Sequence, residues 1–217
     1  MRYQCKDIID SLALNIVIWY VITIHPMGCA LNKECSMSEE LEVLKIVTGR
    51  LNRANIPYMV SGSTAANYYT VPRMTRDIDI VIELKETDID TFISLFQSDF
   101  YINKETVQKE VLQQGIFNLI HNQYVIKVDF IIKKSSIYQE TAFSHKREVL
   151  IKSSPMWFIS PEDLIISKLN WARDSLSEMQ LKDVRNLVET VDNLDLKYID
   201  KWISQLGLEQ IYKEAKQ

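Results

Sequence analysis

Between Leu12 and Ile24 the chain is almost continuously apolar (LALNIVIWYVITI), and the run stops at His25-Pro26. Its thirteen residues fall short of the about 20 that a membrane-spanning helix needs. Arg2 and Lys6 are offset by Asp7 and Asp10, and His-Pro-Met-Gly-Cys is a poor cleavage site, so the segment does not read as a secretory signal. Residues 1–36 are therefore read as an N-terminal extension. It either packs on the domain or on a second subunit, or lies upstream of a true start at Met37; a weak membrane anchor is the lesser alternative, and no stable membrane insertion is expected.

From Ser38 the pattern becomes regular. Leu41, Leu44, Val47 and Leu51 recur at helical spacing, which predicts a helix to near Ala54, and Pro57 marks a break. Tyr58-Met59-Val60, Ser61-Gly62-Ser63 and Thr64 to Tyr69 read as strand, tight turn and helix. Asp77 to Leu84 (DIDIVIEL) alternates and then becomes apolar, as a strand does when one end opens on solvent. Helices are expected over 88–97 and 104–113. Strands are expected over 116–120 and 124–132, joined by His121-Asn122-Gln123 as an antiparallel pair. After Val149-Leu150-Ile151 the character changes. Ser160-Pro161-Glu162-Asp163 is a helix start with Ser160 as N-cap, followed by helices over 162–174, 177–191 and 196–205. The expected fold class is α/β (α+β): a mixed-sheet core over 37–155 flanked by helices, then a small helical C-terminal region over 156–217.

Composition adds limits rather than a class. With 47% apolar residues, 25% charged residues and no low-complexity stretch, this is an ordinary globular chain. The formal net charge of -4 argues against a surface given over to nucleic acid, although a local basic patch is compatible with it. Cys5, Cys29 and Cys35 all precede residue 37, so the body has no disulfide framework. Free thiols in a reducing cytoplasm are the preferred reading, ahead of a zinc site with His25.

The chemistry lies in three short segments. Gly62 removes side-chain bulk where a backbone can approach phosphate, and Ser63 opens the next helix, whose free amides can hold phosphate oxygens. Alone, this is an ordinary turn. Asp77 and Asp79, however, lie two apart on a strand and so share a face, while Ile78 and Ile80 point to the core. Paired carboxylates of this kind suit a hard cation such as Mg2+. Asp129, inside the apolar strand Ile126 to Ile132, supplies a third carboxylate, read beside the Asp77/Asp79 pair as a further metal ligand that is also placed to accept a hydroxyl proton. A lone buried Asp would more often satisfy local hydrogen bonds. The second copy of the tripeptide, Asp88-Ile89-Asp90, precedes helical periodicity and reads as a helix N-terminus.

Val60-Ser61-Gly62-Ser63, thirteen residues, Asp77-Ile78-Asp79-Ile80 and a later strand Asp129 together resemble the nucleotidyltransferase signature of the DNA polymerase β superfamily. Ile56 to Ala66, Pro72 to Asp79, Ser160 to Leu169 and Lys182 to Arg185 are similar to the AbiEii-like branch, which includes toxins of abortive-infection toxin-antitoxin systems. Many relatives have Gly-Gly at the Gly62-Ser63 position, but serine is common there too.

This resemblance implies an enzyme of EC 2.7.7 type that moves a nucleoside monophosphate from an NTP to an acceptor hydroxyl. It implies Asp77, Asp79 and Asp129 as metal ligands and catalytic residues, with Mg2+ or Mn2+ as cofactor. Gly62 and Ser63 would contact the triphosphate, Lys168 would reach the nucleotide and Asp183 would lie in the same cleft. Arg76, and less directly Arg73, flank the acidic strand as partners of triphosphate or aspartate. The implied acceptor is tRNA or another RNA, the implied partner a cognate antitoxin, and the location cytoplasmic. An antibiotic-modifying nucleotidyltransferase and a catalytically silent binding or regulatory protein are the alternatives.

Overall fold

The computed structural model describes residues 38–75, 77–175 and 177–216. The expectations for residues 1–36, the cysteines among them, and for Arg76 fall outside these residues.

Helix α1 (Glu39–Arg53) starts where Ser38 Oγ accepts the Leu41 N–H, with Glu39, Glu40 and Glu42 in its first turn and Arg50 and Arg53 in its last, each placed favourably on the helix dipole. Its apolar face buries Val43, Leu44, Val47 and Leu51. Then follow β1 (Tyr58–Val60), α2 (Gly62–Tyr69) and β2 (Asp77–Ile82). A single turn at Glu86–Asp88 leads into α3 (Ile89–Phe96), with Asp90 in its first turn. Next come β3 (Phe100–Tyr101), α4 (Lys104–Gln113), β4 (Ile116–His121) and β5 (Lys127–Ile132). After α5 (Ile137–Ser144), β6 (Arg147–Ile151) and β7 (Ser154–Phe158), the chain ends in helices α6 (Pro161–Ser175), α7 (Glu178–Thr190), α8 (Leu196–Leu206) and α9 (Glu209–Ala215).

The strands form one seven-stranded sheet in the order β3-β4-β5-β2-β1-β7-β6. Pairs β2–β5 and β1–β7 are parallel and the others antiparallel, so the sheet is mixed, as expected. Side-chain alternation gives it two different faces. On one, Phe117 and Phe130 stack at 5.3 Å and Phe92 of α3 meets both edge-on. Ile78 and Ile80 are buried on this face. The opposite face carries Asp77, Asp79 and Asp129, and α5 and α6 cover its far end.

Several boundaries differ from the sequence expectation. β5 begins at Lys127 rather than 124, because Val125 takes a φ of 54° and donates its N–H to the His121 carbonyl at 2.9 Å. The hairpin turn therefore extends to Ile126. The β6–β7 hairpin, helix α5, strand β3 and helix α9 were not anticipated. The helix start at Ser160 was: Ser160 Oγ accepts the Asp163 N–H at 3.1 Å. The buried Asp163 carboxylate also accepts the Ser160 and Tyr198 hydroxyls, each at 2.7 Å, which ties α8 to the beginning of α6. Among the described residues, no helix is long and apolar enough to cross a membrane.

Candidate active site

Parallel pairing of β2 with β5 sets Asp79 opposite Asp129 and Asp77 opposite Lys127. Period-two alternation puts all four side chains on one face, on strands separated by about 4.8 Å. The face is open at Asp77, half-buried at Asp79 and Asp129, and closed at Val81. The Ser61 N–H donates to the Asp79 carbonyl at 2.8 Å, which presses the turn after β1 against β2. Gly62 then has a φ of 58°, and a Cβ built on it would fall on the Asp79 carboxylate. Glycine is thus required twice over, by conformation and by space. The Ser63 backbone amide, at the start of α2, lies by the same carboxylate and favours its charged form.

Burial raises the Asp79 pKa above the usual carboxylate value, and the neighbouring charges of Asp129 and Asp77 add to the rise; the Ser63 amide and Lys168 oppose it. Lys127 Nζ lies 2.8 Å from Asp129 Oδ2 and 3.7 Å from Asp77 Oδ2. Its hydrogen bond to Asp129 raises the lysine pKa. Among the described residues, no three acidic, imidazole or thiol groups enclose a metal position with the side chains as they stand.

A second group of charges approaches from the helical C-terminal region. The side chain of Asn67 in α2 accepts the Arg73 N–H at 3.0 Å and donates to the Arg73 carbonyl at 2.7 Å, so the segment after α2 is clamped to the helix. This aims the Arg73 guanidinium inward. Its Nε and one terminal nitrogen bind both carboxylate oxygens of Asp183 at 3.1 and 3.0 Å, and the same terminal nitrogen donates to Ser63 Oγ at 2.6 Å. Lys168 of α6 donates to Asp183 at 2.8 Å and to Gln180 at 3.1 Å.

Lys168 and Asp183 are both almost fully buried. Burial lowers the Lys168 pKa, while Asp183 and Asp79 work in the other direction. For Asp183, burial alone would raise the pKa, but hydrogen bonds from Arg73 and Lys168 hold it below the usual range. Two cations and their shared carboxylate are thereby held beside the Gly62-Ser63 turn, an arrangement suited to polyanion binding.

Beside these groups lies a cavity of about 230 Å3. Its lining includes Asp79, Gly62 and Lys168 together with Met59, Val81 and Ile131 of the sheet. Trp171 of α6, half-exposed, stands on its wall.

Of the residues singled out in the sequence, the structure gathers Gly62, Ser63, Asp77, Asp79, Asp129, Lys168 and Asp183 around one cleft, while Arg76 lies outside the described residues. Asp183 is wholly engaged by Arg73 and Lys168, so its contribution runs through them. Lys127, Gln180 and Trp171 were not read from the sequence. For Lys127 a signal was present, because it precedes Asp129 by two residues on a strand and must share its face.

The chain matches the family model described as a nucleotidyl transferase of unknown function (DUF2204) over residues 40–213. The protein belongs to this nucleotidyl transferase family. Its fold is shared with an antigenic nucleotidyltransferase-like protein from Paracoccidioides brasiliensis, at a TM-score of 0.52 and 17% identity, with 81% of this chain and 93% of that chain covered. Lower similarity extends to the lincomycin-bound lincosamide antibiotic adenylyltransferase LnuA, at a TM-score of 0.48 and 14% identity over 71% of this chain and 98% of that one. A putative nucleotidyltransferase from Thermotoga maritima has a TM-score of 0.46 and 18% identity over 77% of this chain and 94% of that one. No curated protein matches the chain by sequence. The nucleotidyl transferase match spans both the acidic strands and the helical region that carries Lys168 and Asp183.

Proposed function

We propose that this nucleotidyl transferase moves a nucleoside monophosphate from an NTP to an acceptor hydroxyl and releases pyrophosphate. The observation that carries the reading is the in-register Asp79–Asp129 pair facing the Gly62-Ser63 helix start, with Arg73 and Lys168 converging from the other side. The residues fit a divalent cation. Their donors are hard carboxylate oxygens on one face, and the burial of Asp79 together with the charges of Asp129 and Asp77, which raise its pKa, is what a bound cation offsets. When bound, Mg2+ or Mn2+ supplies positive charge against the phosphates and the attacking oxygen.

The chain's own residues perform the rest. Asp77, Asp79 and Asp129 would hold the cation. Amides at the start of α2, with Arg73 and Lys168, bind the triphosphate and balance charge on the leaving pyrophosphate. Asp129 accepts the proton of the acceptor hydroxyl as its oxygen bonds to the α-phosphorus and the α–β bridging P–O bond breaks. The nucleoside extends into the cavity beside Trp171.

The similarity of Ile56 to Ala66 and of Pro72 to Asp79 to AbiEii-like proteins supports tRNA or another RNA as acceptor. It equally supports a toxin role with a cognate antitoxin, and a cytoplasmic site of action. An antibiotic as acceptor is the competing outcome of the same experiment. Purified protein is incubated with Mg2+, each labelled NTP, and total RNA, lysate protein or an aminoglycoside. The expected result is labelled RNA with release of pyrophosphate, absent in Asp79→Asn. Failure both to bind any NTP and to label any acceptor overturns the proposal, and labelling of the aminoglycoside alone transfers it to the antibiotic-modifying class.

A further inference from the structure

Lys127 opens β5 in the position opposite Asp77 and two residues from Asp129, so backbone geometry alone delivers an ammonium to the acidic face. Its nitrogen lies 2.8 Å from Asp129 and 3.7 Å from Asp77, between the outermost and the third of the three carboxylates. A solvated surface lysine has no need of either contact. Here both partners are carboxylates assigned above to the cation, and the same three side chains, as they stand, enclose no metal position.

We propose that Lys127 is the internal counterion of the metal centre: it holds Asp77 and Asp129 together in the metal-free protein and is displaced when the divalent cation binds. This deepens the metal-dependent reading and rests on it. The ammonium contacts one oxygen of each of these two carboxylates, and a cation bound by the same groups would lie close enough to repel it strongly. The Lys127 side chain is 39% exposed, so the released ammonium reaches water without rearrangement of the strand. Lys127 is accordingly a positioning residue that sets metal affinity. It relieves the mutual repulsion of the clustered carboxylates when no metal is bound and makes occupancy depend on metal concentration.

The test is Mn2+ binding to the full chain without nucleotide, read from the electron paramagnetic resonance signal of free Mn2+. Lys127→Met is expected to bind about tenfold more tightly than wild type, the effect of removing one competing charge at a half-exposed site. Lys127→Arg, which retains the charge, is expected to keep wild-type affinity. The metal-free Lys127→Met protein should also melt below wild type and regain the difference when Mn2+ is added. Lys127→Gln carries the same expectations should Lys127→Met fail to fold. Mn2+ uptake by wild type with equal or weaker uptake by both neutral variants overturns the counterion role alone. Absence of uptake by all the proteins overturns it together with the metal-dependent reading.

Discussion

The carboxylate of Asp79 occupies the space that a Cβ on Gly62 would fill. The turn and the acidic strand are therefore fitted to each other, and the fit is what brings the Ser63 amide to Asp79. Gly62→Ala must both adopt a positive φ and displace that carboxylate. The substitution is expected to cost about 1–3 kcal/mol of stability and to abolish NTP binding. Urea denaturation and nucleotide titration of the variant check both effects, and a variant that binds NTP normally would show that the close approach is incidental.

Asp79 also makes the stability of the protein depend on pH. Its folded-state pKa lies above the ordinary 3.8, through burial first and then the charges of Asp129 and Asp77. Ionising it therefore opposes folding: the stability associated with the protonated residue is fully present below the unfolded pKa and is lost as pH rises through the folded one. Asp79→Asn keeps an oxygen to accept the Ser63 amide and removes the charge. Without divalent cations the variant should melt above wild type at neutral pH, with the gap closing in acid below 3.8. Thermal midpoints across that range measure it, and a gap that widened in acid would reverse the assignment.

The elements that were legible in the sequence are those whose signals are local. The Asp77-Ile78-Asp79-Ile80 alternation, the Gly62-Ser63 turn and the Ser160-Asp163 cap each state their geometry within a few residues, and the structure follows them. The β6–β7 hairpin was hidden because Lys152 and Ser153 adopt φ of 47° and 65° without glycine or asparagine to announce the turn. Moreover, β7 is held in place by β1, with Val60 opposite Phe158, nearly a hundred residues away in the chain. Arg73 reaches Ser63 and Asp183 because Asn67 clamps the segment that carries it. That clamp depends on a side chain six residues upstream, for which no sequence motif exists.

The Arg73–Asp183–Lys168 group separates binding from stability. Asp183→Ala leaves Lys168, with only 4% of its side chain exposed, without its direct ion-pair partner. Breaking a buried pair from one side costs about 3–5 kcal/mol. Adding Lys168→Met should recover much of that loss without restoring NTP affinity, and a double-mutant cycle by denaturation measures the coupling. Arg73→Lys keeps the charge but loses the two-pronged grip on Asp183 and the contact with Ser63. It is expected to raise the KM for NTP with little change in melting temperature.

Trp171 tests where the nucleoside lies. It is 52% exposed although it lines the cavity next to Asp79 and Lys168, so its indole is available to a flat partner without any rearrangement of the core. Stacking of a base on an aromatic side chain is worth about 1–3 kcal/mol. Trp171→Ala should therefore raise the KM for NTP by about five- to 150-fold while kcat stays near wild type, since the residue touches no reacting atom. Stability should change by no more than about 0.5 kcal/mol, as for other exposed positions. Inorganic tripolyphosphate, which has the charge but no base, should bind both proteins equally. NTP should quench indole fluorescence in wild type and not in the variant. Equal loss of tripolyphosphate and NTP affinity in Trp171→Ala would instead mean that the tryptophan supports the Lys168 side of the cleft rather than the base.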